Sequence, residues 1–70
     1  MILGVDLKPG DTFPYRETLV TIIGEKQRHK DFFQRDEWAI LATRADTGAT
    51  GYLLFGDTGV FPDVTNPADL

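Results

Sequence analysis

The chain has no cysteine and no serine, and these two absences narrow the chemistry available to it. Without cysteine, a disulfide, a cysteine-ligated zinc site and a thiol nucleophile are excluded. Without serine, a common hydroxyl nucleophile is missing as well. Bases are also missing from residues 45–70, because Arg44 is the last cation of the sequence. The C-terminal third is therefore acidic, and the net charge of −4 disfavours long-range attraction to phosphate backbones.

No hydrophobic run approaches the roughly 18 apolar residues that a membrane-spanning helix requires. The first six residues contain no base and end on an acid, so no targeting segment is predicted. Seventy residues suffice for one small domain, which buries roughly 60% of the surface that its unfolded chain exposes. We therefore expect a soluble, cytoplasmic protein with a thin core and no cofactor.

The clearest local pattern is a β-hairpin. Residues 38–44 and 49–55 are two apolar, strand-prone runs, and an Asp46-Thr47-Gly48 turn lies between them. Such a pattern is a strong hairpin signal. Residues 17–24 form another predicted strand, apolar on both faces at its centre, which we place in the middle of a sheet. Pro14 restricts residues 13–15 to an edge strand or an extended loop, because proline has no N–H to donate.

Turns separate the remaining predicted strands. A turn at Pro9 and Gly10 follows a short strand predicted within residues 2–7, and a turn over residues 56–59 precedes a closing strand at Val60 and Phe61. Five short strands predict an all-β fold, either a small, partly open five-stranded barrel or a curled antiparallel sheet. In strand spacing and turn chemistry it resembles the SH3-like barrels. We assign residues 1–62 to this single domain and predict that residues 63–70 form a frayed tail.

Residues 25–36 keep neither a strand period nor a helix period, and they form a loop, a hairpin arm or a short helical turn. This segment holds the candidate binding residues, which combine basic side chains with an aromatic pair: Lys26, Arg28, His29, Lys30, Phe32, Phe33 and Arg35. In an extended segment Phe32 and Phe33 cannot both face inward, so either one is exposed or the loop folds back and both extend the core. Exposed aromatics beside arginine are typical of protein interfaces.

Catalysis and metal binding are not predicted. His29 is the sole histidine and lies in a basic run, where no neighbouring carboxylate is predicted to orient it, and the neighbours Asp36 and Glu37 point to opposite faces of a strand. The Asp-Gly turns lack the regularly spaced oxygen ligands of a calcium loop, and no glycine-rich phosphate loop is present.

Three functions therefore stay open, and one of them, a small-ligand or anion-binding accessory protein, depends only on the basic loop. The first is a non-catalytic protein-binding or assembly module that contacts another protein through loop 26–35, with self-association through a strand edge near residues 13–15 as a variant. The alternative is single-stranded nucleic-acid binding through the same basic and aromatic loop.

Overall fold

A computed structural model describes residues 1–30 and 36–69, and seven β-strands account for about half of this part of the chain. The strands are β1 (Ile2–Leu3), β2 (Thr12–Tyr15), β3 (Thr18–Ile22), β4 (Gln27–Lys30), β5 (Asp36–Arg44), β6 (Thr50–Phe55) and β7 (Val60–Phe61). The predicted N-terminal strand is shorter than expected, because a 3₁₀ turn spans Gly4–Asp6; a second one spans Pro67–Asp69. No α-helix occurs within the described residues, and the prediction of an all-β fold is confirmed.

Five strands form one antiparallel sheet with β5 at its centre. β3 and β4 both pair with one edge of β5, β6 pairs with the other edge, and β2 adds to β3. β1 and β7 form a separate two-stranded antiparallel sheet. Within the described residues β2 and β6 do not pair with each other, so the sheet curls without closing. The predicted curled antiparallel sheet is confirmed, and the closer SH3-like likeness stays a prediction.

A β-bulge allows β3 and β4 to share one edge of β5. The N–H groups of Ile23 and Gly24 both donate to the carbonyl oxygen of Leu41, at 2.9 and 3.2 Å. Residues 23–26 face only residues 40–41 of β5, so two extra residues bend the chain between the two paired stretches. An insertion of two residues leaves the alternation of side chains between the two faces unchanged. The even-numbered residues of β4 therefore lie on the inner face, as do those of β3.

The predicted hairpin is formed by β5 and β6. Its register pairs Trp38 with Phe55 at one end and Thr43 with Thr50 at the other. Gly48 has a φ of 71°, a left-handed conformation that glycine adopts without a Cβ penalty. The tight turn therefore depends on the residue that marked it in the sequence.

The core lies between the inner face of the five-stranded sheet and the short β1–β7 pair. Its buried members are Leu7, Phe13, Val20, Ile22, Ile40, Ala42 and Phe55. The Phe61 ring of β7 connects the two sheets, with its centroid 4.9 Å from that of Phe13 and 5.7 Å from that of Phe55. Gly4 completes this packing: a Cβ atom at Gly4 would lie 2.5 Å from a ring carbon of Phe55.

The C-terminal segment contacts the start of β2. Thr65 exchanges two backbone hydrogen bonds with Thr12, at 2.7 and 2.8 Å. Asn66 is buried, and its Nδ2 donates to Asp11 Oδ1 at 2.9 Å. The second oxygen of Asp11 accepts the backbone N–H of Lys8 at 2.9 Å. The sequence predicts fraying for residues 63–70, whereas the structure ties Thr65 and Asn66 to the β2 strand and the turn before it.

Candidate protein-binding surface

The candidate binding residues that the structure describes lie on one exposed hairpin arm. Arg28, His29 and Lys30 belong to β4, Lys26 precedes it, and each of the four is exposed. Phe32, Phe33 and Arg35 lie outside the described residues. The arm arises because β4 pairs with the N-terminal half of β5. Of the loop, arm and helical turn that the sequence left open, residues 27–30 form the strand of an arm.

Strand alternation divides the basic residues of the arm between two faces. Arg28 lies opposite Trp38 in the β4–β5 register, and Trp38 packs against the core, so Arg28 is on the inner face. Lys30, opposite Asp36, shares that alternation. His29 lies opposite Glu37 and belongs to the outer face. The structure therefore brings Lys26 and Arg28 together and separates His29 from them.

Four side chains form a compact group at the base of the arm, which we call the Trp38 cluster: Lys26, Arg28, Trp38 and Asp57. The Arg28 guanidinium carbon lies 4.2 Å from the centroid of the Trp38 ring, and Lys26 Nζ lies 5.5 Å from the Trp38 ring centroid. Both distances are within the range of cation–π attraction. The cluster therefore places two positive charges against one half-buried indole.

Asp57 holds the Trp38 cluster in one arrangement. Its Oδ1 accepts the indole N–H of Trp38 at 2.6 Å and a hydrogen bond from Arg28 Nη1 at 3.2 Å. The side chains of Arg28 and Asp57 remain 52% and 63% exposed, so the pair is available at the surface. An exposed ion pair by itself contributes little to stability. Its effect here is geometric, because one carboxylate orients both the ring and the guanidinium.

The outer face of the arm has a different character. A surface hollow of about 430 Å³ lies here, lined by Gln27, Arg28, His29, Ala39, Tyr52 and Leu54. Tyr52 and Leu54 are 61% and 48% exposed, and they are large apolar side chains on neighbouring positions of the same face. This face thus combines the His29 ring with uncovered apolar surface.

Sequence reasoning found the basic residues of the arm and missed the residues that organise them. The sequence places Trp38 only in the first strand of the predicted hairpin and Asp57 only in the turn over residues 56–59. They are 19 residues apart in the chain, and only the pairing of β5 with β6 brings the 56–59 turn next to the indole. No local pattern in the sequence signals this contact.

Within residues 1–30 and 36–69, no group of three or more acidic or histidine side chains lies close enough to hold a metal ion. In the same residues, no helix is long and apolar enough to cross a membrane. Comparison of the chain with protein-family models, curated proteins and solved structures finds no match.

Proposed function

We propose that the protein is a non-catalytic binding module that docks a partner protein through loop 26–35 and the Trp38 cluster at its base. The observation that carries this proposal is the cluster itself, in which Arg28 stacks on Trp38 while Asp57 orients both. Tryptophan and arginine are the residue types most enriched among the energetic hot spots of protein interfaces.

Preorganisation of the Arg28 side chain supports binding at the Trp38 cluster. Ordering a long side chain at an interface costs about 0.5–1.5 kcal/mol when that side chain is free before binding. Arg28 is already held by the ring and by Asp57, at 4.2 Å and 3.2 Å. Much of this entropic cost is therefore met during folding. The guanidinium keeps further N–H donors for a carboxylate or a carbonyl of the partner.

Charge defines the kind of partner surface. Lys26, Arg28 and Lys30 lie on one face of the arm, and Asp57 together with Asp36, which lies opposite Lys30 in the β4–β5 register, opposes two of these three cations. A partner that presents acidic side chains matches this pattern, because its acids meet the cations that lie against the indole.

Nucleic-acid binding is the second candidate function, because proteins that bind single strands also use cations beside an aromatic ring. The geometry favours it less. The Trp38 ring is already in contact with Lys26 and Arg28, so a base can stack there only after displacing one of them. Three phosphate contacts would give a log–log salt slope of only about −2 on a single strand.

The experiment compares Arg28→Gln with Arg44→Gln. Both arginine side chains are 52% exposed, and each pairs with one aspartate, but Arg44 lies at the other end of β5. Proteins captured from the native host by the tagged wild-type chain are quantified alongside both variants. We expect a specific partner that is lost with Arg28→Gln and retained with Arg44→Gln.

Fluorescence of Trp38, the only tryptophan, provides the nucleic-acid arm of the test. Titration with a single-stranded oligonucleotide at low and moderate salt should leave the emission unchanged. A saturable, salt-sensitive change that Arg28→Gln abolishes would replace the protein-binding proposal with the nucleic-acid one. A captured protein that both variants retain equally would contradict the role of the Trp38 cluster.

A further inference from the structure

The outer edge of β6 carries unused hydrogen-bonding groups. β6 pairs only with β5 in the described part of the chain, and the Arg44 N–H donates to the Ala49 carbonyl at 2.9 Å. In an antiparallel ladder, residues whose backbone groups face the neighbouring strand alternate with residues whose groups face away. Residues 49, 51, 53 and 55 therefore face β5. Thr50, Tyr52 and Leu54 direct their N–H and C=O groups to the open side.

The other long edges of the sheet are protected, and this one is not. On β2, Thr12 already exchanges backbone hydrogen bonds with Thr65, and Pro14 has no N–H. The edge near residues 13–15, which the sequence suggested for self-association, therefore has few free backbone groups for pairing with a second strand. On β4 the edge carries Arg28 and Lys30, whose charges discourage strand addition. β6 presents six consecutive residues without charge or proline. Such an uncharged, extended edge is a template for another strand.

A groove runs along the inner face of β6, in the gap where the curled sheet fails to close. It has a volume of about 220 Å³, and its lining includes Val20, Ala42, Gly51 and Leu53, with Arg16 at the β2–β3 turn. A Cβ atom built on Gly51 would meet no heavy atom within 4 Å. The space above Gly51 is thus open, apolar and directly beside the free edge.

We propose that β6 pairs with β6 of a second copy of this chain, antiparallel about a two-fold axis at Tyr52. In this register Tyr52 faces its own equivalent, and Thr50 faces Leu54 of the second copy. Each such pair exchanges two backbone hydrogen bonds, so the six outward N–H groups of the two strands all find acceptors. The two sheets then continue as one, and two exposed edges disappear.

Side-chain size supports a second copy as the occupant. The same register places Gly51 opposite Leu53 of the other chain, so each leucine enters the open space above the glycine of its partner strand. On the outer face, the small Thr50 lies opposite the larger Leu54. The strand therefore pairs a small residue with a large one at Gly51–Leu53 and Thr50–Leu54, and the two Tyr52 side chains meet at the two-fold axis.

Charge at the two ends of β6 is compatible with this pairing. Asp46 and Asp57 flank the strand, and the antiparallel register brings Asp46 of one copy towards Asp57 of the other. Each carboxylate is already paired within its own chain, Asp46 with Arg44 at 2.8 Å and Asp57 with Arg28 at 3.2 Å. The two strands thus meet without an uncompensated like-charge contact between these aspartates.

The test compares Leu54→Lys with Leu19→Lys by sedimentation equilibrium over micromolar to millimolar protein. Leu54 and Leu19 are 48% and 50% exposed, and both variants gain the same charge, but Leu19 lies on β3, which has strands on both sides. We expect the wild-type chain and Leu19→Lys to form dimers. Leu54→Lys, which places a charge at both ends of the shared ladder, should raise the dimer dissociation constant by at least roughly tenfold.

Amide hydrogen exchange on the wild-type chain tests the register without any substitution. The N–H groups of Thr50, Tyr52 and Leu54 should become protected as protein concentration rises, whereas those of residues 51, 53 and 55 should be protected at every concentration. A chain that stays monomeric to about 1 mM with the first three amides unprotected would overturn the proposal, and so would a dimer that both lysine variants weaken equally.

Discussion

Replacement of Asn66 by alanine should destabilise the protein strongly, although this residue lies only four positions from the C-terminus. Asn66 is 6% exposed and Asp11 is 2% exposed, and Nδ2 of Asn66 donates to Asp11 Oδ1 at 2.9 Å and to the Pro9 carbonyl at 3.3 Å. Its Oδ1 accepts the backbone N–H of Ala68 at 2.9 Å. The substitution therefore removes a donor from a buried carboxylate and an acceptor from the tail.

The size of the expected loss of stability follows from the burial of Asp11. A hydrogen bond to a charged group contributes about 1.5–3 kcal/mol, and leaving a buried acceptor without its donor costs the desolvation of that group. We expect a loss of about 2–3 kcal/mol from a total stability that is about 4–10 kcal/mol for a chain of this size. For a domain of this length, that loss lowers the melting temperature by about 10–20 °C.

Thermal and urea unfolding, followed by far-ultraviolet circular dichroism, measure this effect. The matched control is Thr58→Ala, which removes an exposed polar side chain from the 56–59 turn and should change stability by less than about 0.5 kcal/mol. If Asn66→Ala is as mild as Thr58→Ala, then Asn66 does not hold the tail in solution. The buried hydrogen bonds of Asn66 would then contribute little to stability, and residues 63–70 would be better described as a frayed tail.

Two further predictions concern packing and titration. Gly4→Ala should lower the free energy of unfolding, measured with a chemical denaturant, by about 1–3 kcal/mol, because the added Cβ would lie 2.5 Å from the Phe55 ring. The control Gly56→Ala should be close to neutral, because no atom lies within 4 Å of the added carbon. Equal effects of the two substitutions would contradict the close packing of Gly4 against Phe55. The Arg44 guanidinium holds the pKa of the exposed Asp46 carboxyl below its ordinary value, so the small stabilisation from this pair is present above the ordinary pKa and is lost as the pH falls through the lowered one. Carboxyl NMR titration should place the Asp46 midpoint below that of a free aspartate, and Arg44→Gln should move this midpoint upward. If the midpoint does not move, a group other than Arg44 lowers the pKa of Asp46.

Local features of the fold could be predicted because their causes are local. The β5–β6 hairpin depends on two apolar runs and a glycine at Gly48, all within 18 residues of one another. The edge position of β2 follows from Pro14, which lacks an N–H. In each case a single residue type restricts the backbone, so its position in the sequence is informative.

The candidate site could be predicted only in part. The basic residues of the arm are visible because they are adjacent in sequence, and Lys26 and Arg28 are indeed close in space. Their contact with Trp38, and the link from Trp38 to Asp57, depend on which strands pair and in what register. A one-residue change of register would move each side chain to the opposite face, and that choice is made by the whole sheet.

The amino-acid sequence by itself determined a small all-β chain, its central hairpin, its turns and the position of its basic arm, because backbone restrictions and apolar alternation act over a few residues. Tertiary structure alone decided that β3 and β4 share one edge of β5, that Asn66 reaches the buried Asp11, and that β6 is left with an open edge. These features join residues far apart in the chain. They arise from the competition of whole strands for neighbours and for the buried face of the sheet, which no local pattern records.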